Sequence, residues 1–155
     1  LKLASGIAPI QRYLDERIAL AIGTDGPASN NCLDMFREMF LTTALAKVKE
    51  KDAACVPAEE VIYMATAAGA KCMGLDDCDQ LAVGKKADLI MIDLMQPNMQ
   101  PENHLVKNIV YSGSKQNVAM TMVNGQILYE NGQFFIGFDP KEIYAKANAI
   151  IGRMK

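Results

Sequence analysis

The stretch that decides the fold is Ile18-Ala-Leu-Ala-Ile22-Gly-Thr-Asp25-Gly26-Pro-Ala-Ser29-Asn30-Asn31. Five consecutive apolar residues read as a strand buried on both faces, the pattern of a parallel sheet covered by helices. Gly23 breaks the run, and a carboxylate follows two residues later. Pro27, Ser29, Asn30 and Asn31 form a polar loop before a long helical pattern begins. Two readings of Asp25 fit this arrangement. In an α/β barrel, carboxylates at the C-terminal ends of strands stand where active sites are built. In an ordinary turn, an aspartate bonds the backbone N–H groups just beyond it.

Working outward, Ile7 to Arg17 reads as a short helix, with Ile7, Ile10 and Leu14 on its apolar side. Beyond the loop, a second helix is predicted over about 33–51. Asn30 or Asn31 is its candidate cap, Asp34 suits its first turn, and Lys47, Lys49 and Lys51 complement the C-terminal end of its dipole. Phe36, Phe40, Ala44 and Val48 line one stripe, which Met35, Met39, Leu41 and Leu45 widen, so the helix expects neighbours on more than one side. Pro57 suits a first helical position ahead of Glu59 and Glu60, and a second helical pair follows, with Gly69 and Gly74 as places to stop or turn.

From Leu81 the period changes. Leu89–Ile92 reads as a strand, and so does Val118–Val123. Asn124-Gly125 signals a two-residue hairpin into Gln126–Tyr129, and Asn131-Gly132 a second turn into Gln133–Ile136. Leu105–Tyr111 fits a short helix or a strand equally well. Asp139-Pro140 with Glu142 opens a closing helix with Ile143, Ala147, Ile150 and Ile151 on its apolar side. The division expected is 1–80, 81–136 and 137–155.

The run Gly23-Thr-Asp25-Gly-Pro-Ala-Ser-Asn-Asn-Cys-Leu-Asp34-Met closely resembles the eighth-strand motif of amidohydrolase-superfamily deaminases. The group most similar is the 5-methylthioadenosine/S-adenosylhomocysteine deaminases, with chlorohydrolases and cytosine deaminases nearby. The opening Leu-Lys2-Leu-Ala-Ser5-Gly6-Ile-Ala-Pro9 resembles the loop after that family's seventh strand. Gly84-Lys-Lys-Ala-Asp88-Leu-Ile-Met-Ile-Asp93 resembles its return to a small β-domain. The resemblance implies an α/β fold class: a C-terminal piece of a metal-dependent (β/α)8 barrel plus part of a small β-sandwich domain. A whole barrel takes roughly 250 residues, and the chain has 155, so it reads as a fragment of a longer protein.

The same resemblance implies deamination of an adenine-type nucleoside by attack of metal-bound hydroxide. The cofactor implied is a divalent metal, zinc in the first place, with iron or nickel as alternatives. Asp25 matches the family's metal-ligating, proton-exchanging aspartate, which is both catalytic and substrate-binding; Ser29 is a further candidate substrate contact. The family's other ligands are histidines, including a His-x-His pair, whereas this chain has one histidine, His104, and no such pair. The fragment alone is therefore expected to be inactive and not to retain the metal. The alternative is a non-enzymatic interaction or oligomerising module.

The remaining properties narrow the partners. Sixteen Lys and Arg against 18 Asp and Glu argue against nucleic acid. No apolar run approaches the roughly 20 residues of a membrane helix. Cys32, Cys55, Cys72 and Cys78 form no Cys-x-x-Cys pair, consistent with free thiols in a reducing, cytoplasmic setting. His104 and the methionines read as structural. The small-molecule nucleoside is the expected partner of the parent protein. A homo-oligomer is expected of the chain itself, because Ile18–Ile22 lacks the neighbours that a barrel strand requires.

Overall fold

The structure, a computed structural model, describes residues 2–154. Helix α1 spans Ile10–Asp15, shorter at both ends than its apolar spacing suggested. Pro9 occupies its N-cap, and Arg17, with φ 57°, turns the chain out of the helix. Helix α2 runs from Met35 to Glu50. Its cap is Asp34 rather than Asn30 or Asn31: the Asp34 carboxylate accepts the backbone N–H of Phe36 at 3.0 Å and lies 3.5 Å from that of Arg37. Lys51, in the left-handed region, ends the helix.

Helices α3 (Ala58–Ala65) and α4 (Ala67–Cys72) form the helical pair, broken at Thr66. Pro57 is the N-cap of α3, one position earlier than the sequence suggested, with Glu59 and Glu60 in the first turn where the dipole favours them. Helix α5 (Leu105–Tyr111) resolves the stretch that periodicity left open. It packs against α2 and α3, and His104 caps it, with Nδ1 lying 3.4 Å from the N–H of Lys107. The core is the junction of these helices. Phe36, Met39 and Ala46 from α2 meet Val61 and Met64 from α3, Val110 from α5 and Val56 from the connecting loop. Thr43 is fully buried there, and its hydroxyl donates to the carbonyl of Val56 at 2.8 Å.

The second half is an antiparallel sheet in the order β1-β2-β3-β4, built from Leu89–Ile92, Val118–Val123, Gln126–Glu130 and Gln133–Phe134. Leu89 pairs with Met122, and Thr121 with both Ile90 and Tyr129. Asn124 (φ 49°) and Gly125 (φ 77°) make the predicted hairpin; both need positive φ, which the Asn-Gly pair tolerates. Asn131 and Gly132 repeat the device. Helix α6 (Pro140–Arg153) closes the chain, capped by Asp139, whose carboxylate accepts the N–H of Lys141. No helix among the described residues is long and apolar enough to cross a membrane.

The one expected element that does not form is the strand Ile18–Ile22, which carries no ladder in the structure. Beyond the Ile18 N–H bond to Tyr13 within the α1 turn, the segment's interstrand capacity is met only by Ile22 N–H to the carbonyl of Met64, 3.2 Å. Five apolar residues make a strand only when other strands supply the opposite donors and acceptors, and the described residues include none positioned to do so.

Two predictions arise from these contacts. Asp34→Ala removes a buried cap from α2, and we expect a loss of about 1 kcal/mol, within the range of roughly 0.5–2 kcal/mol for such caps, read from the urea midpoint. The second concerns pH. The Asp88 carboxylate accepts the N–H of Asn124 at 2.5 Å, which ties β1 to the hairpin. That bond, aided by the Cys78 thiol, holds the Asp88 carboxyl below its ordinary range. A folded-state pKa depressed in this way contributes stability above the unfolded-state value, near pH 4, and loses it as pH falls further. Amide exchange at Asn124 should therefore be protected at pH 6 and lose protection as pH falls below about 4; protection at pH 6 unchanged in Asp88→Ala would show that the carboxylate does not hold the turn.

Candidate active site

The loop after Ile22 is folded by bonds its own residues supply. Asp25 has φ 58°, a left-handed conformation that costs a non-glycine residue energy and needs local bonding to persist. Gly26 follows, and its carbonyl accepts the N–H of Ser29 (3.1 Å) and of Asn30 (2.9 Å). This turn brings Ser29 back over Asp25. One carboxylate oxygen, Oδ1, accepts the Gly26 N–H at 2.7 Å, and the other, Oδ2, accepts the Ser29 hydroxyl at 2.5 Å. Both donors favour the charged form, the serine hydroxyl most, so the Asp25 carboxyl titrates below its ordinary range.

The loop is anchored from both sides. Lys2 Nζ donates to the carbonyl of Ala28 (3.0 Å) and to Asn31 Oδ1 (2.6 Å), joining the start of the chain to the far side of the loop. Asn30 Nδ2 donates to Glu38 Oε1 at 2.6 Å, and Asn30 Oδ1 accepts the Cys32 N–H at 3.0 Å. The loop is thereby fastened to the first turn of α2, which Asp34 starts. Between loop, N-terminal segment and α2 lies an open cavity of about 520 Å³, with Asp25, Ser29, Lys2, Arg37 and Glu38 on its wall.

Asp25 and Ser29, the two residues singled out in the sequence, are therefore in direct contact at this cavity. Asn30 and Asn31 line it too, while helix capping falls to Asp34. Sequence reading overlooked Lys2, Arg37 and Glu38. Lys2 lies 29 positions from Asn31, and no local pattern signals a contact at that range; Glu38 and Arg37 look like the wet side of an amphipathic helix. His104 is not part of this wall. Its Nε2 lies 3.4 Å from Glu59 Oε1, joining α5 to α3. The cysteines are unpaired thiols: Cys32 in the loop before α2, Cys55 in the loop after it, Cys72 at the end of α4 and Cys78 in the segment before β1.

Whether a divalent metal fits can be judged from the donor set. Among the described residues, no three His, Cys, Asp or Glu side chains converge, so the chain does not close a site by itself. Asp25 nevertheless fits one position of such a site. It is an exposed, ionised oxygen donor facing a cavity, and each oxygen accepts one hydrogen bond, which leaves lone pairs for a cation.

Residues 1–128 match the family model described as amidohydrolase family. Among curated proteins, the 5-methylthioadenosine/S-adenosylhomocysteine deaminase of Dictyoglomus thermophilum is 44% identical over 130 residues, covering 84% of this chain and 30% of that protein. The protein of the same name from Moorella thermoacetica is 44% identical over 147 residues, covering 94% and 34%. The chain thus spans about a third of the length of the curated relatives it matches. Among solved structures, an adenosine deaminase from Xanthomonas campestris with bound zinc superposes with a TM-score of 0.93 at 35% identity, over 98% of this chain and 35% of that one. Atrazine chlorohydrolase TrzN from Arthrobacter aurescens, complexed with zinc, follows at 0.78 and 32%, over 94% and 32%. These superpositions agree with the fold class expected from the sequence, a fragment of an α/β domain of the amidohydrolase fold.

Proposed function

The chain belongs to the amidohydrolase family, and from that premise we propose that it is the Asp25-bearing part of a hydrolytic deaminase acting on an adenine-type nucleoside of the 5-methylthioadenosine/S-adenosylhomocysteine class. The observation that carries this reading is the loop that presents Asp25 as an ionised carboxylate at a cavity wall, in a chain 44% identical to proteins named as such deaminases.

In the reaction, the oxygen of water replaces the ring amino group, the carbon–nitrogen bond breaks, and ammonia leaves. Asp25 accepts the proton that the water gives up and returns it to the departing amine, the role of a positioned general base and acid. A divalent metal, zinc first and iron or nickel otherwise, would take Asp25 as one ligand and would supply the Lewis acidity that makes water nucleophilic near neutral pH. The Gly26 N–H and Ser29 hydroxyl hold the Asp25 carboxylate in one orientation for both tasks.

The test is ammonia release from 5-methylthioadenosine, S-adenosylhomocysteine, adenosine and cytosine by the complete gene product, with and without zinc. Turnover of the first two, lost on chelation, is the expected result; metal-independent turnover, or none with any of the four, would refute it. The 155-residue chain alone is expected to release no ammonia, since Asp25 and Glu38 at the cavity fall short of the three protein ligands that a zinc site uses.

A second reading is favoured by one observation. The unpaired Ile18–Ile22 segment borders a small apolar cavity lined by Leu14, Leu20, Tyr63 and Ala68. Unpaired backbone beside apolar surface templates association, so the isolated chain would act as a homo-oligomerising module. Sedimentation of the chain at low micromolar concentration distinguishes an oligomer from a 16.9 kDa monomer.

A further inference from the structure

We propose that Ser29 is a positioning residue for Asp25, acting on the metal through that carboxylate rather than on the substrate; the inference rests on Asp25 being a metal ligand. The geometry of the hydroxyl carries it. Ser29 Oγ lies 2.5 Å from Asp25 Oδ2 and 3.0 Å from the carbonyl of Gly26. A serine has one proton to donate, and the shorter contact, to an ionised acceptor, is the stronger of the two. The proton is therefore committed to Asp25.

The serine is itself held in place. Its N–H is bonded to the Gly26 carbonyl, and its side chain is half-buried between the loop and the cavity. Asp25 has one other clamp, the Gly26 N–H on Oδ1. With Oδ2 released, the carboxylate can swing about its Cβ–Cγ bond on a single tether. Outer-shell hydrogen bonds to ligating groups are worth about 10–100-fold in metal affinity or activity. A substrate-binding serine would behave differently, changing KM while leaving metal affinity and kcat alone.

The experiment titrates zinc into the complete gene product against a competing chelator, for the unaltered protein and for Ser29→Ala, Ser29→Thr and Asp25→Ala. We expect Ser29→Ala to weaken zinc binding by about 10–100-fold, with a matching fall in kcat, little change in KM and no change in the melting temperature of the metal-free protein. Ser29→Thr, which keeps the hydroxyl, should recover most of the affinity. Zinc affinity unchanged in Ser29→Ala overturns the proposal, and a rise in KM alone assigns Ser29 to the substrate. A loss of affinity that Thr does not rescue, accompanied by a lowered melting temperature, also overturns it by making the effect one of folding. Asp25→Ala separates the two layers. If it abolishes tight zinc binding while Ser29→Ala does not alter it, only the serine inference fails; if Asp25→Ala binds zinc normally, the reading of Asp25 as a ligand fails with it.

Discussion

Asp25→Asn in the complete gene product is expected to lower the rate of deamination by about 10²-fold or more, the lower end of what a positioned general base contributes. Asparagine keeps the shape of the side chain and removes its charge and basicity. In the present arrangement both carboxylate oxygens accept, from Gly26 N–H at 2.7 Å and from the Ser29 hydroxyl at 2.5 Å. The asparagine amide has one acceptor and one donor end: its oxygen can keep the Gly26 N–H, and its N–H can donate to the Ser29 hydroxyl, whose proton then turns to the Gly26 carbonyl 3.0 Å away. The loss should fall on kcat, with a parallel loss of zinc from the purified protein. Near-normal turnover in this variant would return Asp25 to the role of a turn residue, bonding Gly26 and Ser29 and nothing more.

Phe36→Ala is expected to cost the fold about 3–5 kcal/mol, the usual range for emptying a buried aromatic site. Against a total stability of roughly 5–15 kcal/mol, that is a large fraction. Phe36 is 5% exposed and belongs to the core shared by α2, α3 and α5. Its ring also rests on Gly113, where an added Cβ would come within 2.8 Å of the Phe36 ring and 2.4 Å of the Ile109 carbonyl oxygen. Gly113→Ala probes the same contact from the other side and should destabilise by roughly 1–3 kcal/mol through overpacking. Urea unfolding of each variant measures both effects. A Phe36→Ala loss below about 1 kcal/mol, far under the range for such sites, would mean that the helical junction is loosely packed. The consequence reaches the candidate site, because the turn after Phe36 carries Arg37 and Glu38, and Glu38 anchors the Asp25 loop through Asn30.

What was legible in the sequence is what short-range physics decides. Helix α2 announced itself by its apolar stripe and its terminal lysines, α6 by Asp139-Pro140, and the hairpins by Asn124-Gly125 and Asn131-Gly132, because caps, dipoles and positive-φ turns act within a few residues. Asp25 stands out as a carboxylate closing an apolar run, but its candidate role, and that of Ser29, comes from the resemblance of the loop motif to a family, and their direct contact is seen only in the structure. Three further features needed the tertiary structure. Leu105–Tyr111 is a helix because His104 caps it and α2 and α3 receive its apolar side; its short run of apolar residues satisfies either period. Lys2 fastens the loop from 29 residues away, through a contact that leaves no trace in local pattern. The apolar run Ile18–Ile22 has the composition of a strand and does not become one, since a ladder is a property of two or more chain segments and composition specifies only one side of it.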